Sequence, residues 1–102
     1  MNSSVIITII GRDRPGLLAE ISSIISELNG NIEDIRGHTI FIGPGKKIAN
    51  ISLLVTASRE PETLYLRLRK KLEEVAERYK LRITIYPISD ILGESTEESL
   101  LS

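Results

Sequence analysis

Residues 5–21 read VIITIIGRDRPGLLAEI, and this short stretch contains a strand, a turn and the start of a helix. Every side chain in residues 5–10 is β-branched, and apolar residues occupy both alternating faces, which is typical of a strand inside a sheet. Residues 11–16, GRDRPG, are turn-forming, and a proline suits the first turn of a helix. We therefore expect a helix to begin here, with Asp13 or Arg14 just before it.

The residues after this turn have the spacing of an amphipathic helix. Apolar side chains recur at positions 17, 18, 21, 24, 25 and 28, while Ser and Glu fill the opposite side. Asn29-Gly30 then forms a typical left-handed stop. The pattern predicts a helix that ends at about residue 28.

The rest of the chain supplies three further strands and a second helix. Residues 31–42 and 47–57 are predicted strands, and the glycine- and proline-rich turn between them favours an antiparallel hairpin. Pro61 opens a helix, and residues 81–86 alternate as a last strand. The apolar stripe of this helix consists of Leu64, Leu68, Leu72, Val75, Ala76 and Tyr79.

The order of these elements, β-α-β-β-α-β, predicts the fold. Right-handed crossovers place both helices on one face of a four-stranded antiparallel sheet, which is an α+β ferredoxin-like sandwich. We expect one domain over residues 1–88, since 102 residues suffice for a single core. Residues 89–102, which are acidic with a few apolar side chains, are expected to be a tail that is partly docked or frayed.

Composition argues against several classes of function. With 13 basic and 14 acidic residues, the chain offers no broad positive field for nucleic acid. Cysteine is absent and His38 is the single histidine, so we expect no metal, cofactor or disulfide. No apolar run reaches about 18 residues, the length of a membrane helix, and residues 1–15 lack a signal-peptide layout. These features predict a cytoplasmic protein with no membrane or nucleic-acid partner.

The turn and its surroundings resemble the signature of ACT domains. The resemblance lies in residues 10–21, IGRDRPGLLAEI, followed by residues 29–32, NGNI, and it extends over residues of about 4–87. Stand-alone ACT proteins and glycine-cleavage-system regulators are the most similar types. The resemblance implies a homodimer or higher homo-oligomer that binds an amino acid or a similar small zwitterion at the seam between subunits.

The same resemblance implies a ligand site. The polar position before Arg-Pro-Gly falls on Asp13, and the asparagine at the start of the second strand falls on Asn31, each approaching the ligand from a different subunit. Serine-sensing relatives have asparagine at the first position, so Asp13 argues against serine and favours contact with a ligand ammonium. Backbone amides near Gly16 would face the ligand carboxylate. The residues assigned to the site are Asp13, Arg14, Pro15, Gly16, Leu17, Leu18, Asn31 and Ile32.

Each of these residues also has a purely structural interpretation. Asp13 could be only a helix N-cap, and Asn31 only a left-handed residue after a helix. Arg14, like Arg12, could bind an anion or be a solvated loop charge. His38 could act as a general acid–base, although no nucleophile pattern accompanies it.

Other functions of the same topology find little support in these residues. RNA-binding sheets use aromatic platforms, which residues 48–55 lack, and metal carriers need paired cysteines. An acylphosphatase-like phosphate cradle would be opposed by Asp13, and the turn at residues 43–45 lacks the Gly-Lys-Ser/Thr end of a phosphate loop. The sequence favours a non-catalytic sensor. The alternative is a ligand-free dimerisation module that docks onto an effector enzyme or transcription regulator.

Overall fold

The computed structural model describes residues 4–57 and 61–89, with Pro61 described by its backbone alone. Its elements are β1 (Ser4–Arg12), α1 (Leu17–Glu27), β2 (Gly30–Gly43), β3 (Lys46–Ala57), α2 (Pro61–Tyr79) and β4 (Arg82–Pro87). The sheet has the order β2-β3-β1-β4, and every neighbouring pair is antiparallel. The predicted α+β ferredoxin-like sandwich is confirmed.

Strand β1 lies inside the sheet because both of its faces are apolar. It pairs with β3 from Ser4 to Arg12 and with β4 from Val5 to Ile10. Its odd-numbered side chains are buried beneath the helices, where Ile7 and Ile9 are fully inaccessible to solvent. The other members of this core are Val5, Leu17, Ile21, Ile25, Leu53, Val55, Leu64, Leu68, Leu72, Val75 and Leu81.

The two helices cover one face of the sheet and leave the other face open. The apolar stripe predicted for α2 packs into the core, with Leu64, Leu68, Leu72 and Val75 buried. The burial of β3 alternates in the same way, because Leu53 and Val55 are buried while Ser52, Leu54 and Thr56 are half-buried. We call the uncovered side, which carries the even-numbered residues of β1 and β3, the open face.

The start of α1 differs from the expectation. The helix begins at Leu17, its N-cap is Gly16 with a φ of 80°, and Pro15 lies outside it. A proline cannot be at the first helical position here, since the left-handed turn at Gly16 intervenes between it and the helix. The interpretation of Asp13 as an N-cap is therefore wrong.

The end of α1 is the predicted left-handed stop. Asn29 has a φ of 65°, and Asn31 is already part of β2, so Asn31 is not the left-handed residue. Gly30 follows at the point where the chain turns back beneath the helix. Here the backbone passes closely between Ile25 and Val55.

Gly30→Ala is expected to destabilise the protein. The added Cβ would lie 2.9 Å from Ile25 Cγ2 and 3.1 Å from Val55 Cγ1, both in the packed core. Forcing these atoms apart should lower the free energy of unfolding by about 1–3 kcal/mol. The control is Gly43→Ala, whose Cβ would meet only the end of the Lys46 side chain, at 3.8 Å. Equal stabilities of the two variants in urea unfolding would contradict the packing described here.

The turn between β2 and β3 contains only Pro44 and Gly45. Gly45 has a φ of 68°, and proline followed by such a glycine is typical of a type II turn. The turn joins two paired strands, as the hairpin prediction requires. The expectation for the C-terminal tail falls almost wholly on residues 90–102, which lie outside the described residues.

Candidate functional site

The turn between β1 and α1 presents backbone to solvent. Residues 13–16 are all exposed, and Gly16 has no side chain with which to cap the first amides of the helix. The turn is held by weak backbone hydrogen bonds of 3.4 Å, from Leu17 N to Arg14 O and from Asp13 N to Lys47 O. Since the N-terminal amides of a helix carry partial positive charge, this exposed end suits a small anion.

Arg14 is anchored to the other helix. Its guanidinium carbon lies 3.9 Å from the centre of the Tyr79 ring, near the end of α2, in a cation–π contact. The Tyr79 hydroxyl donates to Glu20 at 3.0 Å, and Arg78 donates to the other oxygen of Glu20 at 2.8 Å. Hydrogen bonding of the Arg78 guanidinium, first with Tyr79 and then with Glu20, raises the pKa of Arg78 above its ordinary value.

We call Arg14, Glu20, Arg78 and Tyr79 the anchoring cluster. It ties the exposed turn to a rigid helix, so the position of the turn depends on α2 as well as on β1. The sequence does not predict this cluster, because Tyr79 belongs to the apolar stripe of one helix and Glu20 to the polar face of the other. No local pattern relates residues that are about 60 positions apart.

The two leucines of the predicted site have different roles. Leu17 is buried at 3% exposure and contributes its side chain to the core, whereas Leu18 is 37% exposed. At Leu17 only the backbone can face a ligand. Leu18 presents an apolar side chain beside the exposed amides, as a wall for a small ligand would require.

Asp13 and Asn31 do not meet within one chain. Asn31 pairs with Thr56, which pairs in turn with Ser4 at the start of β1. Asp13 follows the opposite end of that strand, after Arg12. The eight-residue separation along β1 corresponds to about 26 Å at 3.3 Å per residue. Ile32, next to Asn31, packs against the core.

Strand β2 forms a long exposed edge of the sheet. Nearly all of its 14 residues are exposed, and it has a single neighbouring strand, β3, among the described elements. Ile35 is 44% exposed, even though its partner in β3 is the buried Leu53. Asp34 and Arg36 flank it and form an ion pair at 3.1 Å. An open edge of this kind is a template for pairing with another chain.

Two grooves lie elsewhere on the described surface. The larger, about 320 Å³, lies between α2 and the edge strand β4, and the smaller, about 210 Å³, lies at the end of the β2–β3 hairpin. Neither is lined by a residue of the predicted ligand site. Residues 4–57 and 61–89 contain no cluster of three potential metal ligands. Within the same ranges, no helix has the length and apolarity needed to cross a membrane.

Two curated relatives carry the same family label. UPF0237 protein SMU_72 of Streptococcus mutans is 30% identical over 80 residues, which are 78% of this chain and 83% of that protein. UPF0237 protein MK1213 of Methanopyrus kandleri is 60% identical over 30 residues, but this match covers 29% of the chain and 33% of that protein.

Solved structures share the fold at low sequence identity. The formyltetrahydrofolate deformylase of Burkholderia mallei matches with a TM-score of 0.71 and 13% identity, over 84% of this chain and 28% of that one. The regulatory subunit of aspartate kinase from Thermus thermophilus matches with a TM-score of 0.59 and 19% identity, over 82% of this chain and 50% of that one. This chain therefore spans half or less of each of these proteins.

The family of this chain is assigned by a family model that matches most of its length. The model of the ACT domain matches residues 5–76, which include β1, the exposed turn, α1 and both hairpin strands. The match begins in β1 and continues through most of α2. Together with the UPF0237 relatives, it shows that the chain belongs to the ACT domain family.

Proposed function

We propose that this chain is a regulatory domain that binds an amino acid, or a similar small zwitterion, at a seam between two copies of itself, and that it catalyses no reaction. The observation that carries the proposal is the exposed start of α1, three residues after Asp13, where Gly16 offers no side-chain cap and the Leu17 amide has only a long backbone hydrogen bond to Arg14 O. The family supports a regulatory role, and one structural relative is itself named a regulatory subunit.

The two chemical features of the turn match the two ends of a zwitterion. The amides at the start of α1 and the helix dipole favour a carboxylate. The Asp13 carboxylate, three residues before Gly16, favours an ammonium group. Leu18 lies nearby as an apolar surface for a ligand side chain. The anchoring cluster holds Arg14 against Tyr79, which limits its freedom to fold over the site.

A second copy of the chain would complete this site by extending the sheet at β2. If two β2 edges pair antiparallel about Ile35, each Ile35 contacts its counterpart and covers apolar surface that is exposed in one chain. In the same register Asp34 lies opposite the partner's Arg36. The two ion pairs across the seam and the central apolar contact favour this register over its neighbours.

This register also brings the partner's Asn31 towards the Asp13 turn of the first chain. Because β2 has a register shift between Ile32 and Asp34, the partner's Asn31 falls only approximately beside Thr39, which shares a row of the sheet with Ala49 and Gly11. That row lies at the end of the sheet from which the Asp13 turn emerges. Two copies therefore bring to one end of the seam residues that a single chain holds about 26 Å apart.

Calorimetric titration of the full chain with each common amino acid tests the proposal. We expect at least one to bind, and Asp13→Ala and Asn31→Ala to weaken binding by about 10- to 100-fold, as loss of a charged hydrogen bond does. Glu74→Ala, an exposed change on α2, should leave binding unchanged. Light scattering should show that all three variants remain dimeric.

Two results would count against the proposal. Unchanged affinity in both site variants would refute the assignment of Asp13 and Asn31. Failure of every amino acid to bind, with the dimer intact, would favour the alternative of a ligand-free module that docks onto an enzyme or transcription regulator.

A further inference from the structure

The open face carries two apolar places, at Ile6 and at Ile10, and the polar row of Thr8, Ser52 and Thr84 lies between them. We call this line of rows along β1 the strip, and it leads to a group of cations. Near the end of β4, Ile6 lies in one row with Leu54 and Tyr86, and Tyr86 is 47% exposed. Further along β1, Ile10 is 41% exposed. No described helix covers this face, because both helices pack on the other side.

The strip ends in the smaller groove, which we call the basic notch. It measures about 210 Å³ and is lined by Ile10, Gly11, Arg12, Ile42, Lys46, Lys47 and Ile48. Ile42 is 58% exposed there. Arg12, Lys46 and Lys47 are exposed, and the ion pairs found among the described residues involve other cations. The notch therefore combines an apolar floor with three cationic residues, of which Arg12 and Lys46 lie on the open face, and it has no carboxylate in its lining.

The sequence after β4 has the complementary chemistry. Residues 88–102 contain four acidic residues and neither lysine nor arginine. Within them, the apolar pair Ile91-Leu92 precedes the acidic pair Glu97-Glu98, and Leu100-Leu101 follows. A chain that runs back from β4 would therefore bring its apolar pair to the strip first and its acidic pair to the notch next.

The spacing of the apolar and acidic pairs in the sequence also matches the spacing of the strip and the notch along β1. Strand β4 ends at Pro87, opposite Val5, at the end of the sheet away from the notch. From Ile6 to Arg12 is six residues, and from Ile91 to Glu97 is also six residues. Ile88 and Ser89, which follow β4, are helical. If the chain beyond them runs back along the sheet in extended form, six residues cover about 20 Å, and the two intervals are equal.

We propose that residues 91–101 of this chain bind the open face of their own sheet, with Ile91-Leu92 over the row of Ile6, Leu54 and Tyr86 and with Glu97-Glu98 in the basic notch. The chemistry recognised is that of an acidic, leucine-containing peptide. This surface adjoins the zwitterion site, since Asp13 N donates to Lys47 O at 3.4 Å, but the proposal does not depend on that site being correct.

The test uses the absence of cysteine from the chain. A nitroxide spin label on Ser99→Cys in the full protein should broaden the NMR amide signals of Ile10, Lys47 and Ile48 until most of their intensity is lost. A label on Ser23→Cys, exposed on α1 across the molecule, should leave these signals sharp.

Charge reversal provides the specificity control. Lys46→Glu with Lys47→Glu should abolish the broadening from the Ser99 label, and adding Glu97→Lys with Glu98→Lys should restore it. Rescue by the double exchange would show that these charges meet, since folding defects in either pair would not be corrected by the other.

Three outcomes would overturn the proposal. The signals could stay sharp with the Ser99 label, or broadening could persist unchanged after charge reversal. Broadening seen only when labelled chains are mixed with separate, isotope-enriched chains would show that the segment binds another copy. If citrate bound the notch while the label had no effect, the notch would be an anion site and not a docking site for this segment.

Discussion

Two variants that each weaken the dimer should form a strong dimer when they are mixed. Asp34→Arg places arginine at both positions 34 and 36, and Arg36→Asp places aspartate at both. In the proposed seam each homodimer then carries two like-charge pairs, which can cost several kcal/mol. The dissociation constant of each homodimer should rise by about 100-fold or more. In the mixed dimer, arginines lie opposite aspartates at both places.

The mixing experiment separates contacts between chains from the ion pair within one chain. Asp34 and Arg36 already bind each other at 3.1 Å in a single copy, and both single variants lose that pair permanently. Only pairing across the seam can be restored by mixing. Native mass spectrometry, with one variant isotopically heavy, counts the heterodimers directly.

A matched control removes a different exposed pair. Arg69 lies 3.5 Å from Glu73 on α2, far from β2, so Arg69→Asp should leave the dimer unchanged. Homodimers of normal strength for both seam variants would place the interface elsewhere, and the edge of β4 beside α2 would then be the next candidate.

The second large effect is expected at the centre of the core. Leu68 on α2 is fully buried between the helices and the sheet, and Leu68→Ala should lower the free energy of unfolding by about 2–5 kcal/mol. Such a loss is a substantial part of the total stability of a small domain, about 5–15 kcal/mol.

Leu66 is the control for this substitution, because it lies in the same helix two residues away and is 62% exposed. Leu66→Ala should change stability by about 0.5 kcal/mol or less. Both variants should be unfolded in guanidinium at one protein concentration, since the proposed dimerisation would make stability concentration-dependent. Similar losses for the two leucines would contradict the packing of α2.

The elements of the fold were predictable because each one has a local signature. The β-branched run in β1, the apolar stripe of α2 and the Asn29 stop are properties of a few consecutive residues. Helix α1 begins later than the sequence predicts, and the reason is also local. Pro15 has a good helix-start propensity, but the left-handed conformation of Gly16 ends the turn after it, and nothing in the composition of GRDRPG distinguishes the two arrangements.

The candidate site, like the fold, is predictable from the sequence only in its local features. The turn at residues 13–16 could be identified from its sequence, and the structure confirms that it is an exposed connection from β1 to α1. The stacking of Arg14 on Tyr79 could not be identified, nor could the separation of Asp13 from Asn31 along the sheet. Both depend on which elements pack together.

By itself, the sequence determined the kinds of elements, their order and the chemistry of the exposed turn, because periodicity, turn residues and capping act over a few positions. Only the tertiary structure decided that Tyr79 of α2 holds Arg14 of the turn, that Leu18 is exposed while Leu17 is buried, and that Asn31 and Asp13 lie towards opposite ends of the sheet. The physical reason is that sheet register and helix packing are set by the simultaneous burial of side chains that are distant in sequence.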